Sequence, residues 1–364
     1  LAFAQTTIDV DLVVAELVRL LKEDALDVRR TAAVALGNIG PHAEKGIPSL
    51  IEALADGDLR AVAIDALVKI GLPAIPHLIQ ALDHVNSDVR AGAAMALGQI
   101  GPETKDAVPK LVEILLKEGE ACSVRIAAAW ALGEIKAQSP DIINALLTAQ
   151  RKATTWCYWR EQEQLVNAAL KSLSQIGQAD VPKILEAIKA EREPFFTAGL
   201  IAALGEIEKV GPYANAIVDS LLWVIRVQAS SAVRASAAKA LGSIGPKVPE
   251  ALPDICEILC DFLRDSDSSV RQAAAEALVK IGQASIDCLT RSLRSPYGHV
   301  RELAAWALGE LGPLASETFP QLKELLGDGD PAVRKAAIKA LGNFGPLASE
   351  VVPDLIEALA DGQL

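Results

Sequence analysis

The sequence predicts an all-α fold, a solenoid of about ten stacked helix pairs. Three observations carry this reading. Residues 28–41, VRRTAAVALGNIGP, return in degraded copies to the end of the 364-residue chain. Within each copy the apolar residues follow the 3.6-residue period of a helix, and no stretch shows the alternation of a strand. Glycine, usually followed by proline, closes most copies where a helix C-terminus favours a left-handed residue.

Taking Val28 as position zero, the matching residues are Leu59, Val89, Val124, Leu165, Phe196, Val233, Val270, Val300 and Val333, which makes ten copies 30 to 41 residues apart. Leucine stands eight residues after each of them, from Leu36 to Leu341. Apolar residues at zero, four, five, eight and eleven make each copy an amphipathic helix, called helix B. Small residues such as Ala32, Ala33 and Ala35 let neighbouring backbones approach closely. Asp56, Asn86, Ser230, Asp267 and Asp330 stand three before zero, where a side-chain oxygen caps the first amides. Gly40, Gly71, Gly101, Gly177, Gly245, Gly282, Gly312 and Gly345 stand twelve after it. A second apolar-periodic segment follows, often opened by proline as at Pro48 and Pro353, and forms helix A of the next repeat.

In chain order, residues 1–9 are a lead-in, 10–137 regular repeats, 138–208 irregular central repeats, and 209–364 regular repeats ending in an unpaired helix A, all within one solenoid domain. The segment IEALADG at 51–57 recurs letter for letter at 356–362, and the second copy stops where an eleventh helix B is due. That predicts an excerpt of a longer array, or a helix A acting as a cap.

Composition narrows the function classes. Half the residues are apolar but only 4% aromatic, which suits many short, closely packed helices. A formal charge of -12 disfavours nucleic acid or an anionic membrane surface as partner. No run approaches 18 uninterrupted apolar residues, so no membrane insertion is expected. Ala2-Phe3-Ala4 before Gln5 looks like the end of a bacterial export signal, but a truncated cytoplasmic chain is favoured. The five cysteines, Cys122, Cys157, Cys256, Cys260 and Cys288, are few and odd in number, so small buried apolar residues are expected rather than disulfides.

The core VRxxAAxALGxIG resembles the HEAT-repeat family, in particular the bacterial HEAT-like repeats of the phycobilisome-lyase type, over nearly the whole chain. The resemblance implies a right-handed α-solenoid superhelix. It also implies that Arg29, Arg60, Arg90, Arg125, Arg234, Arg271, Arg301 and Arg334, each one after zero, pair with acidic turn residues of a neighbouring repeat.

Partner recognition belongs at positions the packing leaves free. On helix B these are two, six and ten after zero, a stripe that in family terms lines the concave surface. It holds seven basic and six acidic residues, too near neutral for a groove that tracks DNA. Trp130 and Trp306 occupy the same stripe position, each followed by Ala-Leu-Gly-Glu, and with Met95 and Ile126 they are candidate anchors for a partner helix or peptide. Each indole lying flat on the neighbouring helix B is the alternative.

The repeat rule fails between residues 137 and 196, where Val166 and Thr197 replace the arginine and Lys136 and Glu208 replace terminal glycines. The turn there is expected to lengthen over about residues 151–163, and it contains Trp156, Tyr158 and Trp159. Phe195 sits in the next repeat's turn. These four aromatics form either an edge site for a partner or a hydrophobic plug in an irregular stack.

Chemistry is sparse. His42, His77, His84 and His299 lie far apart and none precedes Glu, unlike the iron-holding pairs of the HEAT-like deoxyhypusine hydroxylases. Cys256, Cys260 and Cys288 offer three soft ligands without a fourth, so no metal and no cofactor is expected. The chain reads as a non-enzymatic scaffold that binds a protein through its groove and central aromatic edge. The resemblance leaves one alternative, a phycobilin lyase-like subunit that holds a tetrapyrrole and a phycobiliprotein.

Overall fold

The computed structural model of the chain describes residues 9–345, apart from 138, 177–180, 192, 208–209 and 228–229, together with 349 and 353. The repeated IEALADG at 356–362, Gly177, Glu208 and residues 1–8 therefore lie outside the described residues. The chain divides into two compact units, Leu1–Asp180 and Val181–Leu364. Each is a right-handed α-solenoid of paired helices, with no strand among the described residues.

The first unit contains α1 (Val10–Leu20), α2 (Leu26–Ile39), α3 (Ile47–Ala53), α4 (Arg60–Ile70), α5 (Ala74–Ala81), α6 (Ser87–Ile100), α7 (Val108–Leu116), α8 (Cys122–Ile135), α9 (Pro140–Trp156) and α10 (Trp159–Ile176). Even-numbered helices are the B helices, and each packs on its odd-numbered predecessor and on the neighbouring B helices of its own unit. The second unit repeats the plan with α11 (Val181–Ala190), α12 (Pro194–Glu206), α13 (Ala214–Val227), α14 (Ser231–Ile244), α15 (Leu252–Phe262), α16 (Ser268–Ile281), α17 (Ile286–Ser292), α18 (Gly298–Leu311), α19 (Phe319–Glu324) and α20 (Pro331–Gly342).

The core is the repeat's own pattern. The leucine eight after zero is buried in every copy, from Leu36 to Leu341, and so is the residue at zero in every copy except Val28. Removing one such leucine side chain costs about 2–5 kcal/mol, so each repeat interface is held by a few apolar contacts of known position. Small residues set the spacing between B helices: a Cβ on Gly309 would stand 2.5 Å from the Ala340 Cα. Asn86, Asp267 and Asp330 accept hydrogen bonds from the amides two residues on and so cap α6, α16 and α20. Gly40, Gly71, Gly101, Gly282, Gly312 and Gly345 take positive φ at the B-helix ends, and Lys136 also takes positive φ, in the left-handed helical region at φ 54°. Gly245 departs from the rule and stays right-handed at φ -48°.

A second regularity binds consecutive repeats. Arg29 donates to Asp56 at 2.7 Å, Arg60 meets Asp88 at 2.8 Å, and Arg90 meets Glu120. In the second unit Arg234 grips Asp265 with two bonds of 2.7 and 2.9 Å, and Arg301 grips Asp328 with two of 2.7 Å. These carboxylates belong to the turn of the following repeat, or for Asp88 to the first turn of α6, as the family resemblance implies for these five arginines, whereas Arg125, Arg271 and Arg334 donate to main-chain carbonyls. Several of these arginines also donate to carbonyls at or just beyond the end of helix A, as Arg60 does to Leu54 at 2.8 Å and Arg301 to Ser295 at 2.8 Å. These guanidiniums thus satisfy carbonyls that a helix C-terminus leaves without partners.

Two expectations are corrected. Residues 151–156 continue α9 and residues 159–163 belong to α10, so the predicted long turn is only Cys157 and Tyr158. The stretch lacks glycine and proline, and its polar residues extend two helices, of 17 and 18 residues, instead of breaking them. Four cysteines are paired, not merely buried: Cys122 with Cys157 and Cys260 with Cys288, with Cα separations of 5.7 and 6.3 Å. Cys260 and Cys288 join the equivalent helices α15 and α17, and Cys122 at the start of α8 meets Cys157 at the end of α9, so each bridge links consecutive repeats. Cys256 alone is a free thiol, and burial pushes it up to about 11.

Candidate partner-binding grooves

The B-helix stripe faces outward on both units, and its anchors prove to be unlike one another. Trp130 is half-buried on α8, and a Cβ on Gly98 of α6 would lie 2.6 Å from its ring. The indole therefore occupies the room that the missing side chain of Gly98 leaves. That is the flat-lying alternative for this residue.

Trp306 is half-buried at the same repeat position on α18, but nine residues after zero its neighbour helix α16 carries Val279 where α6 carries Gly98. Instead of lying against a glycine, Trp306 lines a cavity of about 570 Å³. The cavity is open over α18 and α20. Gln272, Glu302, Glu310, Lys335, Lys339 and Asn343 bound it, all of them stripe positions two, six or ten. Asn343 donates to the Gly309 carbonyl at 3.1 Å and ties the far end of α20 to α18. The floor is therefore fixed by two contacts at Gly309: this hydrogen bond and the close approach of Ala340.

A smaller cavity of about 310 Å³ in the first unit lies between α4 and α6. Met95, 38% exposed, lines it with Ile64, Ala61, Asp65, Arg60 and Gln99. Its Asp65 is already engaged by Lys69 at 2.8 Å on the same helix. A thioether at the mouth of a shallow apolar pocket adapts readily to partners of different shape.

The central aromatics separate. Trp156, the last residue of α9, is half-buried beneath the Arg125 guanidinium, whose carbon stands 3.9 Å from the ring centroid. Lys152 lies 5.6 Å from the same ring. Arg125 is itself buried and donates to the carbonyls of Leu115 and Lys117, the C-terminal end of α7. Burial pulls its guanidinium below the usual basicity, partly offset by Glu120. Trp156 thus takes the place that Asp56, Asp88 or Asp328 holds in other repeats, with a π face in place of a carboxylate. The Cys122–Cys157 disulfide fastens the same junction.

Tyr158 is 85% exposed in the turn between α9 and α10. Trp159 opens α10, and its side chain lies outside the described residues. Phe195, in the second unit, is 59% exposed near the start of α12 and touches Phe196 edge-on, with ring centroids 5.5 Å apart. Among the described residues no group of three or more His, Cys, Asp or Glu could hold a metal ion. No described helix is long and apolar enough to cross a membrane.

Comparison with known proteins supports the architecture. The family pattern described as HEAT repeats matches residues 47–121, 75–156, 218–309 and 293–363, which together exceed half of the chain. The PBS lyase HEAT-like repeat matches residues 28–56. No curated protein matches the chain in sequence. Among solved structures, the crystal structure of Kap121p superposes with a TM-score of 0.62 at 16% identity, covering 96% of this chain and 43% of that one. Kap121p bound to Nup53p gives a TM-score of 0.62 at 16% identity, over 97% of this chain and 44% of that one. The karyopherin Kap121p bound to the extreme C-terminus of the protein phosphatase Cdc14p gives 0.62 at 15% identity, over 97% and 44%. The chain spans less than half the length of these proteins, and at such identity the likeness is one of fold.

Proposed function

The chain belongs to the HEAT-repeat family, and we propose that it is a non-enzymatic scaffold that binds a protein segment on its B-helix stripe, chiefly at Trp306. The observation that carries this reading is the cavity of about 570 Å³ over α18 and α20, lined by stripe residues and floored by a half-exposed indole. Packing leaves these positions free, yet they converge on one concavity. Large aromatics in such settings supply much of the binding energy of protein interfaces. The solved karyopherin structures include complexes with protein partners, Nup53p and the Cdc14p C-terminus among them, on the same fold.

Met95 and its pocket form a second anchor point in the first unit, where Trp130 contributes half an indole face. The exposed aromatics Tyr158, in the α9–α10 turn, and Phe195, in the first turn of α12 rather than in the turn before it, extend the contact surface at the repeat edges, and Trp156 and Trp159 flank Tyr158 in sequence. The lyase reading draws support from one repeat only, residues 28–56. The Trp306 cavity carries two lysines and two glutamates, a balance unlike that of a polyanion groove.

Photo-crosslinking tests the proposal. A photoreactive amino acid at position 339, in the chain expressed in its own cells, should form a covalent adduct with a protein partner, and Trp306→Ala should abolish that adduct. An adduct pattern indifferent to Trp306→Ala would end the groove reading.

A further inference from the structure

The Trp306 groove has two chemically opposite walls. Glu302, Trp306 and Glu310 stand one helical turn apart along α18, and Lys335, Lys339 and Asn343 do the same along α20. The two helices run parallel, since Gly298 meets Asp330 at their starts and Gly309 meets Ala340 and Asn343 near their ends. An acidic row with a central indole therefore lies beside a basic row. Among the described residues, Glu302, Glu310, Lys335 and Lys339 make no hydrogen bond or ion pair, although most other arginines and many carboxylates of the array are engaged. Four unpartnered charges sorted by sign around a half-exposed tryptophan form a template rather than a plain apolar patch.

We infer that this groove takes an amphipathic helix of a protein partner, with an apolar stripe seated on Trp306, basic side chains over α18 and acidic side chains over α20. The inference rests on the groove reading above. A helix fits because the template needs three faces: an apolar one below and two flanks of opposite charge. A helix has such faces, whereas a strand presents only two. The rows advance about 6 Å per four residues, the step at which a docked helix repeats its own side chains. Rim charges of this kind choose partner and orientation more than they add affinity. Reversing the helix exchanges its flanks, so the two charged walls fix its direction.

A phage-displayed library of 16-residue helix-forming peptides, random at the charge positions and panned against the full chain, provides the probe. Clones that lose binding to the Trp306→Ala protein are the groove binders. In them acidic and basic residues should segregate to opposite sides of the apolar stripe. Lys335→Glu with Lys339→Glu, and Glu302→Lys with Glu310→Lys, should each weaken such a clone about tenfold, a few-fold per rim charge. All four changes together exchange the walls and should restore affinity to within about threefold, with the peptide reversed. All four positions are half-exposed or exposed, and circular dichroism verifies that the variants remain folded. Groove binders with uniform flanks, or binders indifferent to either double reversal, would overturn the helix template while leaving the groove intact. A library without any Trp306-dependent clone would overturn the groove itself.

Discussion

The Arg125 guanidinium lies 3.9 Å above the centroid of the Trp156 ring, at the point in the array where other repeats put an arginine against a carboxylate. The contact spans consecutive repeats, from the start of α8 to the end of α9. It replaces Coulomb attraction by cation–π attraction and by the burial of a large ring.

Trp156→Ala should therefore lower stability by about 2–3 kcal/mol, below the range for a fully buried tryptophan because the ring is half-buried. Trp156→Asp restores the residue type used by Asp56 and Asp328 and should lose less than the alanine variant. Urea unfolding of the three proteins measures this. An aspartate variant weaker than the alanine variant would show that ring packing, not the arginine, governs the junction.

The cysteine pairing makes a counting prediction. Of five cysteines, four are paired, so the oxidised protein should show one titratable thiol in denaturant and five after reduction. The single thiol should map to Cys256 by peptide mass after alkylation. Reduction should cost about 3–4 kcal/mol for each loop in the chain-entropy account, visible as a lower Tm. Five thiols in protein purified under oxidising conditions would refute both bridges.

Acid should loosen the repeat junctions. The hydrogen bond from Arg301, followed by weaker contributions, holds the Asp328 carboxyl below the usual carboxylate range. The hydroxyls of Ser269 and Ser231 and the Ser269 amide hold Asp267 at about 2. Both groups are more acidic folded than unfolded, so their stabilisation is complete above the unfolded value of about 4 and is lost as pH falls through the folded one. Tm should stay nearly level from pH 7 to 5 and drop between about pH 4 and 2. Asp328→Asn should lower Tm at neutral pH and flatten part of that drop, as differential scanning calorimetry can record.

The two equivalent tryptophans should part under mutation. Trp130→Ala removes a ring seated on Gly98 and should destabilise the fold by about 2 kcal/mol. Trp306→Ala removes a ring that faces a cavity and should change stability by less than about 1 kcal/mol. Chemical denaturation compares them; equal losses would place Trp306 in the packing instead of the groove.

Much of this fold is legible in the sequence because its determinants are local and repeated. Leu36 and its nine counterparts, the caps at Asn86 and Asp330, and the positive-φ glycines all follow from counting along one motif. The stripe that meets at Trp306 was legible for the same reason. What counting misses is whatever depends on two repeats at once. Gly98 and Val279 occupy the same register, and only their contacts show why one tryptophan lies flat while the other lines a cavity. The Cys122–Cys157 bridge is not legible from the number of cysteines, because it depends on the start of α8 meeting the end of α9. The α9–α10 turn is shorter than its spacing suggests because residues 151–156 and 159–163 hold no glycine or proline to stop a helix.

The arginine links join residues 27, 28, 30 or 31 positions apart, as for Arg29 to Asp56, Arg60 to Asp88, Arg90 to Glu120 and Arg234 to Asp265. The linkage thus tolerates helix A segments of unequal length. Such an array can be duplicated, lengthened or trimmed between its links without losing register. Evolution could therefore revise the outward residues of one repeat while its neighbours stay joined.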